Sequence, residues 1–173
     1  AHGKTTTTSL VAAVLDHGDI DPTVVIGGKL NKTNTNAVLG SGEFMVAEAD
    51  ESDGSFLKLP PTIAVVTNID REHMDHYRDI DDIKSCFLAF LNKVPFYGLC
   101  IICLDNENVQ SLIPHLEKRT LSYGCASQAD LQARGIKLNG TRTQFDAYYH
   151  EKLLGPVTLN LPGMHNARSE ERR

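Results

Sequence analysis

The sequence has no apolar run of the roughly 20 residues that a bilayer-spanning helix needs. No signal peptide is visible either, so we expect a cytoplasmic protein with no membrane partner. Basic residues form no cluster: 17 Lys and Arg are mixed with 22 Asp and Glu, and the formal net charge is −5. A nucleic-acid surface normally carries a clustered basic patch, so nucleic acid is not expected as a partner.

Cysteine is scarce, and its spacing argues against a zinc site. Cys86, Cys100, Cys103 and Cys125 supply one CxxC pair, and no second pair is available to complete four zinc ligands. The pair lies in a short apolar run, residues 99–104, that predicts a strand. Side chains three apart on a strand point to opposite faces, so the two thiols would not converge. We predict ordinary buried cysteines in a reducing compartment.

The 173 residues, 41% of them hydrophobic, instead carry alternating strand and helix patterns typical of one ordinary domain. Helices are predicted at residues 4–17, 81–93 and 106–118, the first with Leu10, Val11, Val14 and Leu15 on its apolar face. Strands are predicted at residues 23–26, 43–49, 62–69, 99–104 and 120–123, with a polar loop over residues 29–42. This alternation predicts an α/β fold whose mostly parallel sheet is flanked by helices.

The pattern changes after residue 130 to successive strands, at residues 135–138, 143–149 and 157–161. Turns are predicted at Asn139-Gly140 and Leu154-Gly155. The C-terminal end is therefore expected to extend the sheet with antiparallel strands.

The opening residues Ala1-His2-Gly3-Lys4-Thr5 look like the second half of a phosphate-binding loop. Backbone N–H groups at a helix N-terminus, a mobile ammonium and a hydroxyl together suit a nucleoside triphosphate and its metal. Lys4 would contact the β- and γ-phosphates, and Thr5 would place its hydroxyl on Mg²⁺. Gly-Lys-Thr also occurs by chance, so this prediction depends on the motifs that follow.

An acidic segment, residues 48–53, begins at the end of the strand predicted at 43–49. It has four carboxylates within six residues, namely Glu48, Asp50, Glu51 and Asp53. Such a group is costly unless its members are solvated, paired or bound to cations. An acidic surface turn is one interpretation, and a hard-metal site beside bound phosphates is the other, with Glu48 as the first choice of ligand.

Two further stretches carry histidine. His73 and His76 lie among acidic residues after the strand at 62–69, where a second metal site or a phosphate-orienting role competes with a core or surface role. Pro162-Gly163 predicts a turn, and His165-Asn166 beyond it offers donors and acceptors for the edge of a base. Without the other motifs a plain turn is the better interpretation there.

Together these stretches closely resemble the Mur ligase family, the ATP-dependent amide-forming enzymes of peptidoglycan synthesis. Gly27-Gly28-Lys29-Leu30-Asn31, Thr35-Asn36, the acidic segment and residues 68–77 are most similar to the L-alanine-adding branch. The resemblance covers residues 1–173 as a single central ATPase domain. The family's N-terminal UDP-binding and C-terminal amino-acid-binding domains lie outside it, so the chain alone is expected to be inactive and to work with those domains.

The resemblance implies that ATP phosphorylates the carboxylate of UDP-N-acetylmuramate and that the amine of L-alanine attacks the acyl phosphate, with Mg²⁺ as cofactor. It implies catalytic roles for Lys4, Glu48 and His73 and a metal site of Thr5, Glu48 and His73. It also implies nucleotide contacts from Gly3, Lys4, Thr5, Thr6, His165 and Asn166, and substrate contacts from Asn34, Thr35 and Asn36.

Three alternatives stay open. One is a sister ligase that adds a tripeptide to recycled UDP-N-acetylmuramate, and another is a folylpolyglutamate-synthase-like ligase. Residues 51–55 and His73-Met74-Asp75 favour the L-alanine-adding branch over both. The third is a nucleotide-binding fragment without a complete active site.

Overall fold

A computed structural model of the chain describes residues 1–27 and 35–161. Its α-helices are α1 (Lys4–His17), α2 (Ile80–Leu91) and α3 (Glu107–Gln110), with 3-10 helices at Ser55–Lys58 and Ile113–His115. Its strands are β1 (Thr23–Val25), β2 (Ala37–Val38), β3 (Met45–Ala47), β4 (Ile63–Val66), β5 (Leu99–Cys103), β6 (Thr120–Gly124), β7 (Leu131–Asn139), β8 (Arg142–Tyr149) and β9 (Lys152–Leu159). None of the helices in this described part combines the length and the apolar character needed to cross a membrane.

The strands form two sheets. The first has the order β2-β1-β3, in which β1 runs parallel to β3 and antiparallel to β2. The second has the order β4-β5-β6-β7-β8-β9. Its first four strands are parallel, and β8 and β9 continue it as antiparallel hairpins. The predicted fold class, a mostly parallel α/β sheet with an antiparallel C-terminal extension, is confirmed.

Helix α1 begins where it was predicted to begin. Gly3 precedes it with φ of +76°, in the left-handed region that glycine enters at little cost. The buried positions of α1 are Thr8 and Ala12, which lie one turn apart on one face, and Ala12 packs in a small core with Val24 of β1. The predicted apolar face is wrong, because Val14 is 70% exposed. Because Thr8 and Ala12 have small side chains, α1 packs close to β1.

The main core lies between the six-stranded sheet and α2. Asp79 caps α2 by accepting a hydrogen bond from the backbone N–H of Asp82, 2.8 Å away. The buried face of α2 includes Phe87 and Phe90, whose rings lie 5.4 and 5.2 Å from that of Phe56. Phe56 is 2% exposed and follows the acidic segment directly. Aromatic packing therefore anchors this segment to the core.

The helix predicted over residues 106–118 is wrong in length. Only α3 and the short 3-10 helix form there. Pro114 explains the break, because proline has no backbone N–H and its ring clashes with the preceding helical turn. Asn106 does cap α3, accepting a hydrogen bond from the backbone N–H of Val109 at 3.0 Å.

The turn predicted at Leu154-Gly155 is also wrong. Gly155 lies inside β9, opposite Ala147 and next to a register irregularity. The β8–β9 turn is formed by His150 and Glu151, which both adopt positive φ. Neither residue type is typical of a two-residue hairpin turn, so this turn was not predictable from local residue types. The β7–β8 turn falls at Gly140-Thr141, one residue later than predicted.

Three other predictions have mixed outcomes. Cys100 and Cys103 are buried, as predicted, whereas Cys86 and Cys125 are only partly buried. Strand β4 is buried on one face only, since Ile63 and Val65 are exposed. The loop predicted at residues 29–42 contains the short strand β2. Residues 29–34 of this loop lie outside the described residues.

Candidate phosphate and metal site

The phosphate loop (residues 1–5) forms the N-terminus of α1. Gly3 is buried, and its carbonyl accepts the backbone N–H of Thr7 at 2.9 Å. The N–H groups of Lys4, Thr5 and Thr6 fall in the first turn, where helix geometry leaves amides without intrahelical partners. A 14-residue helix also has a partial positive charge at this end. The arrangement is suited to binding phosphate.

The residues after β4 hold the phosphate loop in place. The backbone N–H of His2 donates to Asn68 Oδ1 at 2.7 Å, and the amide of Asn68 donates back to the His2 carbonyl at 2.8 Å. Thr67 Oγ1 donates to the same carbonyl at 2.8 Å. Thr67 and Asn68 are both buried, so these contacts satisfy polar groups in the interior. Sequence reasoning included both residues in a polar stretch but missed this anchoring role.

Lys4 forms ion pairs with two carboxylates of the acidic segment. Its Nζ lies 2.7 Å from Glu51 Oε2 and 3.1 Å from Asp50 Oδ1. Burial of the ammonium lowers the pKa of Lys4, but hydrogen bonds and ion pairs with Glu51 and Asp50 outweigh it, so the pKa is raised. Burial likewise raises the pKa of Asp50, yet Lys4 and Ser52 bring it below its usual value. Lys4 therefore stays charged at neutral pH.

Glu48 joins the phosphate loop to the end of β1. Its Oε1 accepts a hydrogen bond from Thr5 Oγ1 at 2.9 Å, and its Oε2 accepts the backbone N–H of Gly27 at 2.7 Å. A Cβ on Gly27 would lie 3.3 Å from the Glu48 carboxylate, so glycine permits this close approach. A hydroxyl and a carboxylate at this spacing are oxygen donors of the kind that Mg²⁺ prefers. The structure thus brings together two of the three predicted metal ligands.

His73, the third predicted ligand, lies with other residues. Oxygens of Asp50 and Glu51 and a ring nitrogen of His73 lie within 4.8 Å of one another, and we call these three the Glu51 cluster. His73 adopts φ of +55°, and its Nε2 lies 3.8 Å from Glu51 Oε1. That oxygen is buried and has no hydrogen-bond partner in residues 1–27 and 35–161. Two carboxylates, one with an unsatisfied oxygen, fit a divalent cation.

Glu51 is the site residue that sequence reasoning missed. The sequence does not distinguish it from the other carboxylates of the acidic segment. Its burial depends on contacts with Lys4, 47 residues earlier, and Tyr77, 26 residues later. The hydroxyl of Tyr77 donates to the Glu51 carbonyl, and burial, with smaller contributions from nearby groups, raises the pKa of Tyr77 to about 12. The phenol therefore remains a hydrogen-bond donor at neutral pH.

Replacing Tyr77 with phenylalanine is expected to lower the free energy of unfolding by about 1 kcal/mol, the typical net value of one buried hydrogen bond. Tyr77 is 3% exposed, so the ring would stay packed while the Glu51 carbonyl loses a donor. Chemical denaturation measures the change. The matched control is Tyr97→Phe, because Tyr97 is 67% exposed. Equal stability of the two variants would contradict the assigned hydrogen bond.

The remaining predicted site residues have different outcomes. Asn34, His165 and Asn166 lie outside the described residues. Thr35 and Asn36 are exposed at the start of β2, and the carbonyl of Asn36 accepts the backbone N–H of Ile26 at 2.9 Å. The next residue after Ile26 is Gly27, whose backbone N–H binds Glu48. The segment that includes Thr35 and Asn36 therefore begins close to the candidate metal ligands. A substrate role for Thr35 and Asn36 remains a prediction.

The fold and this site define an α/β domain with a phosphate loop whose lysine and threonine face a group of carboxylates. The family model for the Mur ligase middle domain matches residues 1–168. The chain belongs to the Mur ligase family.

A protein from Desulfatibacillum aliphaticivorans named UDP-N-acetylmuramate–L-alanine ligase is 63% identical over 166 residues, which are 96% of this chain and 36% of that protein. The chain therefore spans about a third of the length of this relative.

Solved structures of the family have the same fold. The UDP-N-acetylmuramate:L-alanyl-γ-D-glutamyl-meso-diaminopimelate ligase of Neisseria meningitides superimposes with a TM-score of 0.84 at 27% identity, covering 98% of this chain and 56% of that one. The MurF ligase of Thermotoga maritima, solved in complex with ADP, gives 0.75 at 17% identity, covering 96% of this chain and 40% of that one.

Proposed function

We propose that residues 1–173 are the central ATP-binding domain of a cytoplasmic ligase that joins L-alanine to UDP-N-acetylmuramate in peptidoglycan synthesis. The observation that carries this proposal is the 63% identity to a ligase of that name across nearly the whole chain. The geometry supports it, since Lys4, Thr5 and Glu48 converge at the N-terminus of α1. The flanking domains of the full-length protein would supply the UDP and amino-acid contacts.

In the proposed reaction a carboxylate oxygen of UDP-N-acetylmuramate attacks the γ-phosphorus of ATP, giving an acyl phosphate and ADP. The amine of L-alanine then attacks the acyl carbon, and inorganic phosphate leaves as the amide forms and the amine loses its proton. In this scheme Lys4 and the first-turn N–H groups of α1 orient the phosphates and offset their charge. The phosphate loop is held in position by Asn68, which limits its motion during transfer.

Mg²⁺ is part of the proposal. The Thr5 hydroxyl and the Glu48 carboxylate would hold one ion. The Glu51 cluster, which includes His73, would hold a second. When bound, such ions neutralise charge that develops on the phosphate oxygens. Glu48 is fixed for this task by two hydrogen bonds, so its carboxylate does not need to reorganise.

The tripeptide-adding sister ligase is the second candidate. The Neisseria meningitides structure is of that type and shares the fold, but at 27% identity against 63% for the L-alanine ligase. The 63% identity to a ligase named for L-alanine therefore favours L-alanine as the amino-acid substrate.

The decisive experiment is an ATP-dependent phosphate-release assay on the full-length protein. We expect release to require UDP-N-acetylmuramate and L-alanine together, with an amide product seen by mass spectrometry. The tripeptide L-alanyl-γ-D-glutamyl-meso-diaminopimelate is the matched alternative substrate. Release with the tripeptide but not with L-alanine would support the sister ligase, and release independent of UDP-N-acetylmuramate would contradict both.

A further inference from the structure

Glu51 is a buried carboxylate aimed at the phosphate loop. Its side chain is 5% exposed, and its Oε2 receives the Lys4 ammonium at 2.7 Å. Its Oε1 has no hydrogen-bond partner within the described ranges, and His73 Nε2 lies 3.8 Å from it. An unsatisfied buried acceptor lowers stability, so natural proteins keep few of them. Retaining one beside a phosphate loop calls for a functional reason.

The ion pair with Glu51 competes with phosphate for Lys4. An ammonium has three donors, and in this structure one binds Glu51 and another binds Asp50. A triphosphate entering the loop would draw Lys4 away and bring negative charge close to both carboxylates. In a partly buried site the resulting repulsion is several times stronger than in bulk water.

A nucleotide that arrives with a divalent cation does not meet the same penalty. The cation offsets the charge of the phosphates and also of a carboxylate that has lost Lys4. Glu51 is the residue for which this matters most, because its burial separates it from solvent. Asp50 is 57% exposed at its side chain, so water and salt screen its charge.

We propose that Glu51 is a positioning residue that restricts the phosphate loop to metal-bound nucleotide. It holds Lys4 through the ion pair seen in this structure, and its charge disfavours a nucleotide that lacks its cation. This inference rests on the proposed function, since it assumes that the loop binds ATP. The role assigned to Glu51 is selection of metal-bound over metal-free nucleotide, whereas Lys4 contacts the phosphates.

The test compares two dissociation constants by isothermal titration calorimetry on the full-length protein. One is for ATP with excess Mg²⁺, and the other is for ATP with EDTA. In Glu51→Gln the metal-free constant is expected to fall roughly tenfold, and with it the ratio of the metal-free constant to the Mg²⁺ constant, because one nearby charge is lost from a partly buried site. A ratio that falls only because the Mg²⁺ constant rises would show a metal ligand instead and would overturn the inference. Asp53→Asn is the matched control, because this exposed carboxylate of the same segment binds the backbone N–H of Ser55 instead. Its ratio should equal that of the unmodified chain.

An unchanged ratio in Glu51→Gln, with Mg²⁺-ATP binding by the unmodified chain intact, would overturn the inference and leave the proposed function standing. A full-length protein that binds neither form of ATP would overturn both. If Glu51→Gln does not fold, Glu51→Ala decides, because it removes the same buried carboxylate without placing an amide beside Lys4. Its ratio should fall by a similar factor, and no fall would overturn the inference.

Discussion

Replacing Lys4 with alanine is expected to reduce ATP-dependent phosphate release by the full-length protein roughly thousandfold, in the upper range for loss of one preorganised electrostatic contact. Lys4 is the ammonium at the N-terminus of α1, and its pKa is raised by Glu51 and Asp50 despite burial, so it is fully charged in the assay. Initial rates at saturating ATP measure the loss. Lys58→Ala is the matched control, since Lys58 is exposed on the 3-10 helix beyond the acidic segment.

The same substitution is expected to lower the free energy of unfolding by about 2 kcal/mol, because it leaves the buried Glu51 carboxylate without its cation. Adding Glu51→Gln to Lys4→Ala should restore most of this stability and none of the activity. The double variant thus separates the structural role of the ion pair from the proposed catalytic role of Lys4. Activity that survives in Lys4→Ala would show that the phosphate-loop assignment is wrong.

Replacing Glu48 with glutamine is expected to reduce phosphate release on the order of a hundredfold and to raise the Mg²⁺ concentration needed for half-maximal rate. Glutamine keeps the size of the side chain but loses the charge. It also places an amide donor where Glu48 now accepts hydrogen bonds from Thr5 and from Gly27. A Mg²⁺ titration of the initial rate measures both effects.

Glu43→Gln is the control for this substitution, because it removes the same charge at an exposed position before β3. It should keep the rate and the Mg²⁺ dependence of the unmodified protein. If Glu48→Gln behaves like this control, Glu48 does not bind the metal. The Glu51 cluster would then be the remaining candidate.

Local signals explain which parts of the molecule were predictable. The start of α1 follows from Gly3 and the residues after it, and β5 follows from a short apolar run. Thr5 and Glu48 are 43 residues apart, and their pairing was expected only from the resemblance to the Mur ligase family. The start of α1 and strand β5, by contrast, depend on neighbours in the chain, so a single sequence carries them.

Long-range contacts explain what the sequence could not provide. Glu51 is buried because Lys4 and Tyr77 reach it from distant parts of the chain. Asn68 anchors the phosphate loop through His2, 66 residues away. The exposed Val14 of α1 shows the same limit, since only the packed structure determines which face of a helix is covered.

The position of the phosphate loop between the two sheets has a thermodynamic consequence. Thr5 binds Glu48, which follows the three-stranded sheet, and His2 binds Asn68, which follows β4 of the six-stranded sheet. A ligand that binds only the folded phosphate loop therefore requires both sheets to be folded. By mass action such a ligand at a hundred times its dissociation constant adds about 2.7 kcal/mol to folding. Nucleotide concentration would then set the melting temperature of both sheets together.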